Sequence, residues 1–531
     1  MKIQVLFLLT VLVLTACSKI DNPMEEVTPT PNSTPSSTPT PSKITTTITL
    51  NLDGKVYIND KVFFLAGDAA TNIATVTSGA SVNITSSDES VVSIDGSGNI
   101  VPVGPGTATI TIAVKENLAF TAATKTVTIV VGRKVSINEE TGIEFIAQNG
   151  DQITGIAPNT MHLTIPDGAL VRLKGATIKP TTGTNTSAIV CVGDATLYIE
   201  GVNDVKANDT SYAGIQVGPE GKLLTIDGTG KLTSESTIGA GIGGIVNGSC
   251  GNIVVRNGDI TAVSVHGAAI GGGAAKEGSI SKCGNITISG GKVVANSVVG
   301  AAIGSGATLD NTATNNSSCG DILITDGEIE ATTTSNDARL GTAIGTGRPY
   351  NGYGIVSCGK IKITGGKVTA TAGKADVGST AAAIGTAFAE HGSTTCGDII
   401  IEDGIIVATC TVYPNWGAAG IGTGCIYGEG EGTNTCGNIE ISGGTITANG
   451  GKNGAGIGMG SITSLSSTGT INCGNINISG GTVTARTTDF GSAADIGKGG
   501  SASGTMNIGT VNVDDTNMAN YTAVAGGYKH N

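Results

Sequence analysis

One phrase returns seven times along the second half of this 531-residue chain, and it narrows the folds open to it. Cys-Gly stands at Cys250, Cys283, Cys319, Cys358, Cys396, Cys436 and Cys473, at intervals of 33, 36, 39, 38, 40 and 37 residues. One copy reads Cys283-Gly284-Asn285-Ile286-Thr287-Ile288-Ser289-Gly290-Gly291-Lys292-Val293-Val294-Ala295, and residues 436–448 and 473–485 match it closely. Between phrases comes an Ala-Ile-Gly or Gly-Ile-Gly element or a variant of it, centred on Ile242, Ile270, Ile303, Ile344, Ile384, Ile421, Ile457 and Ile496. A repeat of this period means stacked supersecondary units, each burying its apolar face against the next.

Within a copy the alternation is that of strands. Ile286 and Ile288 point one way and Thr287 the other. The same inward slots hold Ile322/Ile324, Ile361/Ile363, Ile399/Ile401, Ile439/Ile441 and Ile476/Ile478, and Ala262, Ala295, Ala331, Ala370, Ala408, Ala448 and Ala485 mark a second strand. The outward series Val254, Thr287, Leu323, Lys362, Ile400, Glu440, Asn477 varies freely. Corners carry Asn-Gly, Asp-Gly or Gly-Gly, which accept positive φ at little cost. A propeller would need four strands per blade, but a copy offers two clear strands and a glycine-rich third. A parallel β-helix stacks identical inward residues about 4.8 Å apart, which accounts for the constancy of the slots. The expected fold is therefore all-β: a long parallel β-helix over 134–514, with weaker first coils in 141–240 and a C-terminal tail at 515–531. With only 3% aromatic residues, the core must come from Ile, Val, Ala and Cys.

The first residues read as an address. A short positive start precedes an apolar run at 3–14, too short for a bilayer, which takes about 20 residues. It ends Leu14-Thr15-Ala16-Cys17, which resembles the bacterial lipoprotein cleavage box. The resemblance implies a signal peptide at 1–16, lipid on Cys17 and, with Ser18 following, sorting to the outer membrane of a Gram-negative envelope. Residues 17–43 are rich in Pro and Thr, with six of the 14 prolines between 18 and 43, and read as an extended tether.

Residues 44–132 read as short Thr/Val/Ile strands, with a turn at Asp95-Gly96-Ser97-Gly98. Residues 86–98, with Val103 and 106–110, resemble the group-2 bacterial immunoglobulin-like family, which implies a β-sandwich serving as a spacer. The repeat array resembles the glycine-rich β-helix repeats of secreted bacterial proteins, some described as carbohydrate-binding. The phrases Gly-Ala-Gly-Ile-Gly and Cys-Gly-Asn-Ile carry that resemblance, and they speak for architecture more than for ligand.

The chemistry is sparse. A net charge of −13 argues against nucleic acid, which needs clustered Lys and Arg. No CxxC pair, no recurring carboxylate pair and no phosphate loop is evident, so no cofactor or metal is expected. The seven thiols read as a reduced, buried ladder, because Cys fits a small apolar slot. Glu390-His391 reads as a solvated loop pair. Loops at 348–353, 388–391 and 427–431 follow the Ala-Ile-Gly element in consecutive copies and concentrate the rare aromatics, with 413–416 just ahead of it. Flat rings stack on sugar faces while carboxylates and amides bind hydroxyls. The candidate binding residues are therefore Trp416, Tyr413, Tyr350, Tyr353 and Tyr427, with Arg348, Glu429 and Glu431 as polar partners. The functional expectation is a monomeric, non-catalytic protein binding a polysaccharide or cell-surface glycan, touching membrane only through its anchor. The alternatives are a β-helix polysaccharide lyase or glycoside hydrolase, and a structural surface protein without a carbohydrate ligand.

Overall fold

The computed structural model describes residues 42–77, 79–181, 185–208, 210–310, 315–335, 340–349, 353–373, 379–411, 417–426, 429–488 and 493–531. It is all-β, with small N-terminal sheets followed by long parallel sheets that wind into a solenoid.

The N-terminal part holds a five-stranded sheet in the spatial order Val56–Ile58, Lys61–Leu65, Ala123–Gly132, Gly106–Val114, Val82–Ser86. Lys61–Leu65 runs parallel to Ala123–Gly132 and the other neighbours are antiparallel. Two short pairs, Ile48–Leu50 with Ala74–Val76 and Val92–Ile94 with Ile100–Pro102, face it. Alternation puts Val62, Phe64, Ile110, Ile112 and Ile129 inward against Ile73, Val92 and Ile100. At the expected turn, the Asp95 carboxylate accepts from the amides of Ser97 and Asn99 at 2.9 and 2.8 Å.

The solenoid joins this part without a break. Val56, Ile58, Phe63 and Val130 pack on Leu170, with Tyr198 beside them. The buried Asp151 carboxylate takes the Arg133 guanidinium at 2.5–3.2 Å and the Gln148 amide at 2.7 Å. From Ile280 to Gly497 each coil contributes to four rows of parallel strands. The cysteine row is Ile280–Cys283, Asn316–Cys319, Ile355–Cys358, Ser393–Cys396, Thr433–Cys436, Thr470–Cys473 and Thr505–Ile508. The isoleucine row follows it, as in Ile361–Ile363 and Ile399–Ile401, and then the alanine row, as in Lys367–Ala372 and Ile405–Cys410. The glycine row closes the coil with two-residue strands such as Ile344–Gly345 and Ile384–Gly385. The coils before residue 250 lack a cysteine row.

Register is in step from coil to coil, apart from irregularities at Ile153–Gly155 and at the Ser289–Lys292 corner. Thr287 lies beside Leu323, then Lys362, Ile400, Glu440 and Asn477, the outward series read from sequence. The inward Ile and Ala side chains have no measurable exposure along most of the stack. The glycine row is glycine because coils touch there. Gly385 sits at φ +132°, and a Cβ on it would meet the Gly422 carbonyl oxygen at 1.9 Å.

A relay the sequence reading missed pins the corner after each cysteine. The Asn252 side-chain oxygen accepts the Asn285 amide at 2.8 Å, Asn285 accepts the Asp321 amide at 2.9 Å, and Asp321 accepts the Lys360 amide at 2.8 Å. The relay resumes from Asp398 to Asn438, Asn475 and Thr510 at 2.8–2.9 Å. This explains the glycine before each relay residue: a Cβ on Gly320 would lie 2.2 Å from the Asn285 oxygen. Lys360 has no side-chain oxygen to pass onward, so the relay skips one step.

The cysteines stack in register from Cys283 to Cys473, all buried, all free, with Cys250 Sγ 2.8 Å from Cys283 Sγ. Burial pushes the off-register thiols of Cys191 and Cys410 up to about 12 and about 11. Within the row, thiol bonds from neighbours and burial raise Cys283, Cys319, Cys396 and Cys473 well above the usual range. Cys358 and Cys436 accept S–H donors from both sides, which favours their thiolates.

Residues 515–531, expected only as a tail, fold into a cap. A helical turn at Asp515–Met518 leads into the hairpin Tyr521–Val524 and Gly527–His530, whose second strand pairs antiparallel with Ile496–Gly497. The buried Asn517 and Tyr521 side chains accept the Val483 and Ala485 amides at 3.0 and 2.7 Å.

Three measurements check these contacts. Lys360→Asn restores the missing relay step and should raise stability by about 0.5–1.5 kcal/mol, read as a higher unfolding midpoint. Native protein should leave the seven row thiols unlabelled by a maleimide while denatured protein labels all of them. Cys358→Ser, which places a hydroxyl in that slot, should cost about 1–3 kcal/mol.

Candidate functional site

The edge between the glycine row and the cysteine row carries the aromatic loops. Buried hydroxyls fix where each loop begins. Ser305, Thr346, Thr386 and Thr423 accept the amides of Gly347, Ala387, Gly424 and Gly460 at 2.8–3.1 Å, one coil to the next. Backbone bonds fix where each loop ends. Ser393 donates to Gly354, Thr433 to Gly392, Thr470 to Gly432 and Thr505 to Gly469, each at 2.9 Å. Tyr353, His391 and Glu431, one residue ahead of Gly354, Gly392 and Gly432, therefore hold equivalent places on three consecutive coils.

Two of those side chains meet. The rings of Tyr353 and His391 stack with centroids 5.3 Å apart and planes 11° from parallel. Tyr353 is 52% exposed and His391 is half-buried. Glu431 follows on the next coil, exposed, and Glu429 beside it is exposed as well. The edge thus presents ring, ring and carboxylate in a line rising by about one strand spacing per step.

Arg348 departs from its expected role. It is 3% exposed, its amide donates to the Val299 carbonyl at 3.0 Å, and its guanidinium lies 5.8 Å from the centroid of the Phe388 ring. Phe388 is fully buried. The sequence places both in aromatic loops, but they form the floor under the edge, because the segments just after Ile344 and Ile384 are still held by the hydroxyl bonds. Arg348 is thus a supporting residue, and Glu429 and Glu431 are the exposed polar groups. His391 is the residue that sequence reasoning set aside. Its signal was there: the dipeptide before Ser393 falls in the same register as Tyr353 before Ile355, which only alignment of the strand ends reveals. Tyr350, Tyr413, Trp416 and Tyr427, and the lipidation candidate Cys17, lie outside the described residues. In chain order, 413–416 falls between Ile405–Cys410 and Ile421–Gly422, whereas 348–353 and 427–431 fall after a glycine-row strand and before a cysteine-row strand.

Among the described residues no three His, Cys, Asp or Glu side chains could hold a metal ion, and no helix is long and apolar enough to cross a membrane. Two clefts lie elsewhere. One of about 530 Å³ opens among residues 72–98, lined by Val76, Ile84 and Ile94, and one of about 270 Å³ lies at the junction of the two parts, beside Arg172 and Glu200.

A family model described as a beta helix repeat matches four stretches of the stack, residues 286–307, 361–388, 439–461 and 476–504. These are beta helix repeats. The matched stretches cover the isoleucine, alanine and glycine rows of four coils, and 361–388 ends at the buried Phe388. No curated protein and no solved structure matches the chain.

The geometry separates floor from surface. Phe388→Ala should cost about 3–5 kcal/mol, the usual range for emptying a buried aromatic site. Tyr353→Ala, at a half-exposed ring, should shift the unfolding temperature by little. Thermal unfolding of the two variants beside the parent checks the contrast.

Proposed function

We propose that this chain is a non-catalytic, monomeric cell-surface protein that binds a glycan along the edge of its β-helix. One observation carries the reading: Tyr353 and His391 form a stacked ring pair, exposed at Tyr353, on consecutive coils, continued by the exposed carboxylate of Glu431. Sugar rings have apolar faces that lie on aromatic rings, and hydroxyls that donate to carboxylates. A line of such groups on consecutive coils suits an extended polymer better than a small molecule. Tyr350 and Tyr427 join this edge in the proposal, being in the same loops. Tyr413 and Trp416, ahead of Ile421–Gly422 in the chain, join it too. Arg348 acts by supporting Phe388 and the loop above it.

The remaining features fit a presented binder. Cys17 is the lipid anchor, placed in the outer membrane after removal of residues 1–16. Residues 17–43 extend the protein from the surface, and the N-terminal sheets, as a group-2 immunoglobulin-like spacer, carry the solenoid outward.

The test is a glycan array probed with the full chain, with release of reducing sugar measured on every hit. Binding without release is expected, and Tyr353→Ala with His391→Ala should weaken it at least ten-fold at unchanged unfolding temperature. Sustained release of sugar would instead make the protein a hydrolase or lyase. In cells, Cys17→Ala should abolish lipid labelling and free the protein from membranes; continued retention would end the anchor assignment.

A further inference from the structure

The outward side of the cysteine row is unlike the other faces. Its strands place two side chains per coil outward, and the register sets them in two columns. One column reads Asn316, Ile355, Ser393, Thr433, Thr470, Thr505, and the other Ser318, Ser357, Thr395, Thr435, Asn472, Asn507. From Asn316 and Ser318 onward neither column holds a charge; in the coil before them the columns start at Ile280 and Lys282. Over the last four coils every position is Ser, Thr or Asn. The neighbouring faces are charged: Lys367 pairs with Glu328 at 2.9 Å and Lys362 with Glu402 at 2.7 Å. In a chain of net charge −13, an uncharged face this long is a local exception.

The face is also ordered in two directions. Columns are about 6.8 Å apart along a strand and steps about 4.8 Å apart between coils. Threonine is stiff at χ1, so its hydroxyl direction is set by the backbone. The amides are tied in as well, Asn472 Nδ2 donating to Thr435 Oγ1 at 3.3 Å and Asn507 Nδ2 to Asn472 Oδ1 at 2.9 Å. The aromatic edge leads directly onto it, since Tyr353, His391 and Glu431 stand two residues before Ile355, Ser393 and Thr433.

We infer that this face is a second, flat binding surface, and that its partner is a neutral, insoluble polysaccharide whose chains lie packed side by side. The inference rests on the glycan reading of the adjoining edge and names the class of glycan. An acidic polymer would need clustered cations, and this face has Lys282 in its first coil and none from Ser318 onward, while Glu429 and Glu431 border it. A protein partner would need buried apolar or aromatic anchors, and the last four coils present only hydroxyls and amides outward. A fibre face presents repeated hydroxyls and matches a repeated array of donors and acceptors, many weak contacts adding by avidity rather than by one pocket.

The full chain in mild detergent is mixed with microcrystalline cellulose, insoluble chitin and insoluble mannan, and with soluble polygalacturonate as the acidic control. Retention on at least one insoluble neutral polymer and none on polygalacturonate is expected. Thr435→Lys with Asn472→Lys should cut retention at least ten-fold and leave binding of the matching soluble oligosaccharide, measured by calorimetry, unchanged. Thr395→Lys alone provides the same readout should the double variant unfold at a lower temperature. Tyr353→Ala with His391→Ala should reduce both kinds of binding. Full retention of the lysine variants overturns the flat surface while leaving the edge reading intact, and full binding by the ring variant overturns the edge reading itself. Retention on none of the insoluble polymers, preference for polygalacturonate, or an ice-growth inhibition that the lysine variants lose would each overturn the inference.

Discussion

The structure depends on carrying one coil's register to the next. Most of the parallel strands have only two to six residues and few backbone bonds, and a one-residue slip would turn every Ile and Ala outward. Side chains bonded to the backbone of the following coil prevent that slip. The Asn/Asp relay after the cysteines, broken once at Lys360, and the Ser/Thr relay from Ser305 to Thr423 after the glycine-row strands join consecutive coils at separate corners. Both need glycine close by, one so that the amide oxygen has room, the other because backbone meets backbone. The high glycine content follows from contact between coils rather than from flexibility.

The same devices position the surface. The hydroxyl relay holds Arg348 and Phe388 beneath the edge, and the strand starting two residues after Tyr353, His391 and Glu431 lines those residues up. A repeated core of this kind leaves outward positions free to vary, and function is carried by what varies.

Much of the architecture was legible because its cause is periodic. Ile at alternate positions and Ala in the next strand announce their slots in every copy, and the outward series from Thr287 to Asn477 was read in its observed order. The relay was present in the same phrase as Asn285, Asp321, Asn438 and Asn475, but one polar residue at a corner looks like turn chemistry until the adjacent coil is in place. Arg348 was misjudged for a related reason: loop composition does not tell which residues of a loop are still attached to the core. His391 was set aside because its partner, Tyr353, is 38 residues away in sequence and one coil away in space. The cap was hidden because it occurs once, and periodicity is silent on anything that does not repeat.

That cap works by imitation. Asn517 and Tyr521 offer an amide oxygen and a phenol oxygen to the two amides that another strand's carbonyls would have taken, and the hairpin supplies a strand to the glycine row. Its main polar contacts read backbone, and every coil presents nearly the same backbone. The terminator is therefore indifferent to how many coils precede it, so a gene could gain or lose whole repeats by recombination and still close the fold.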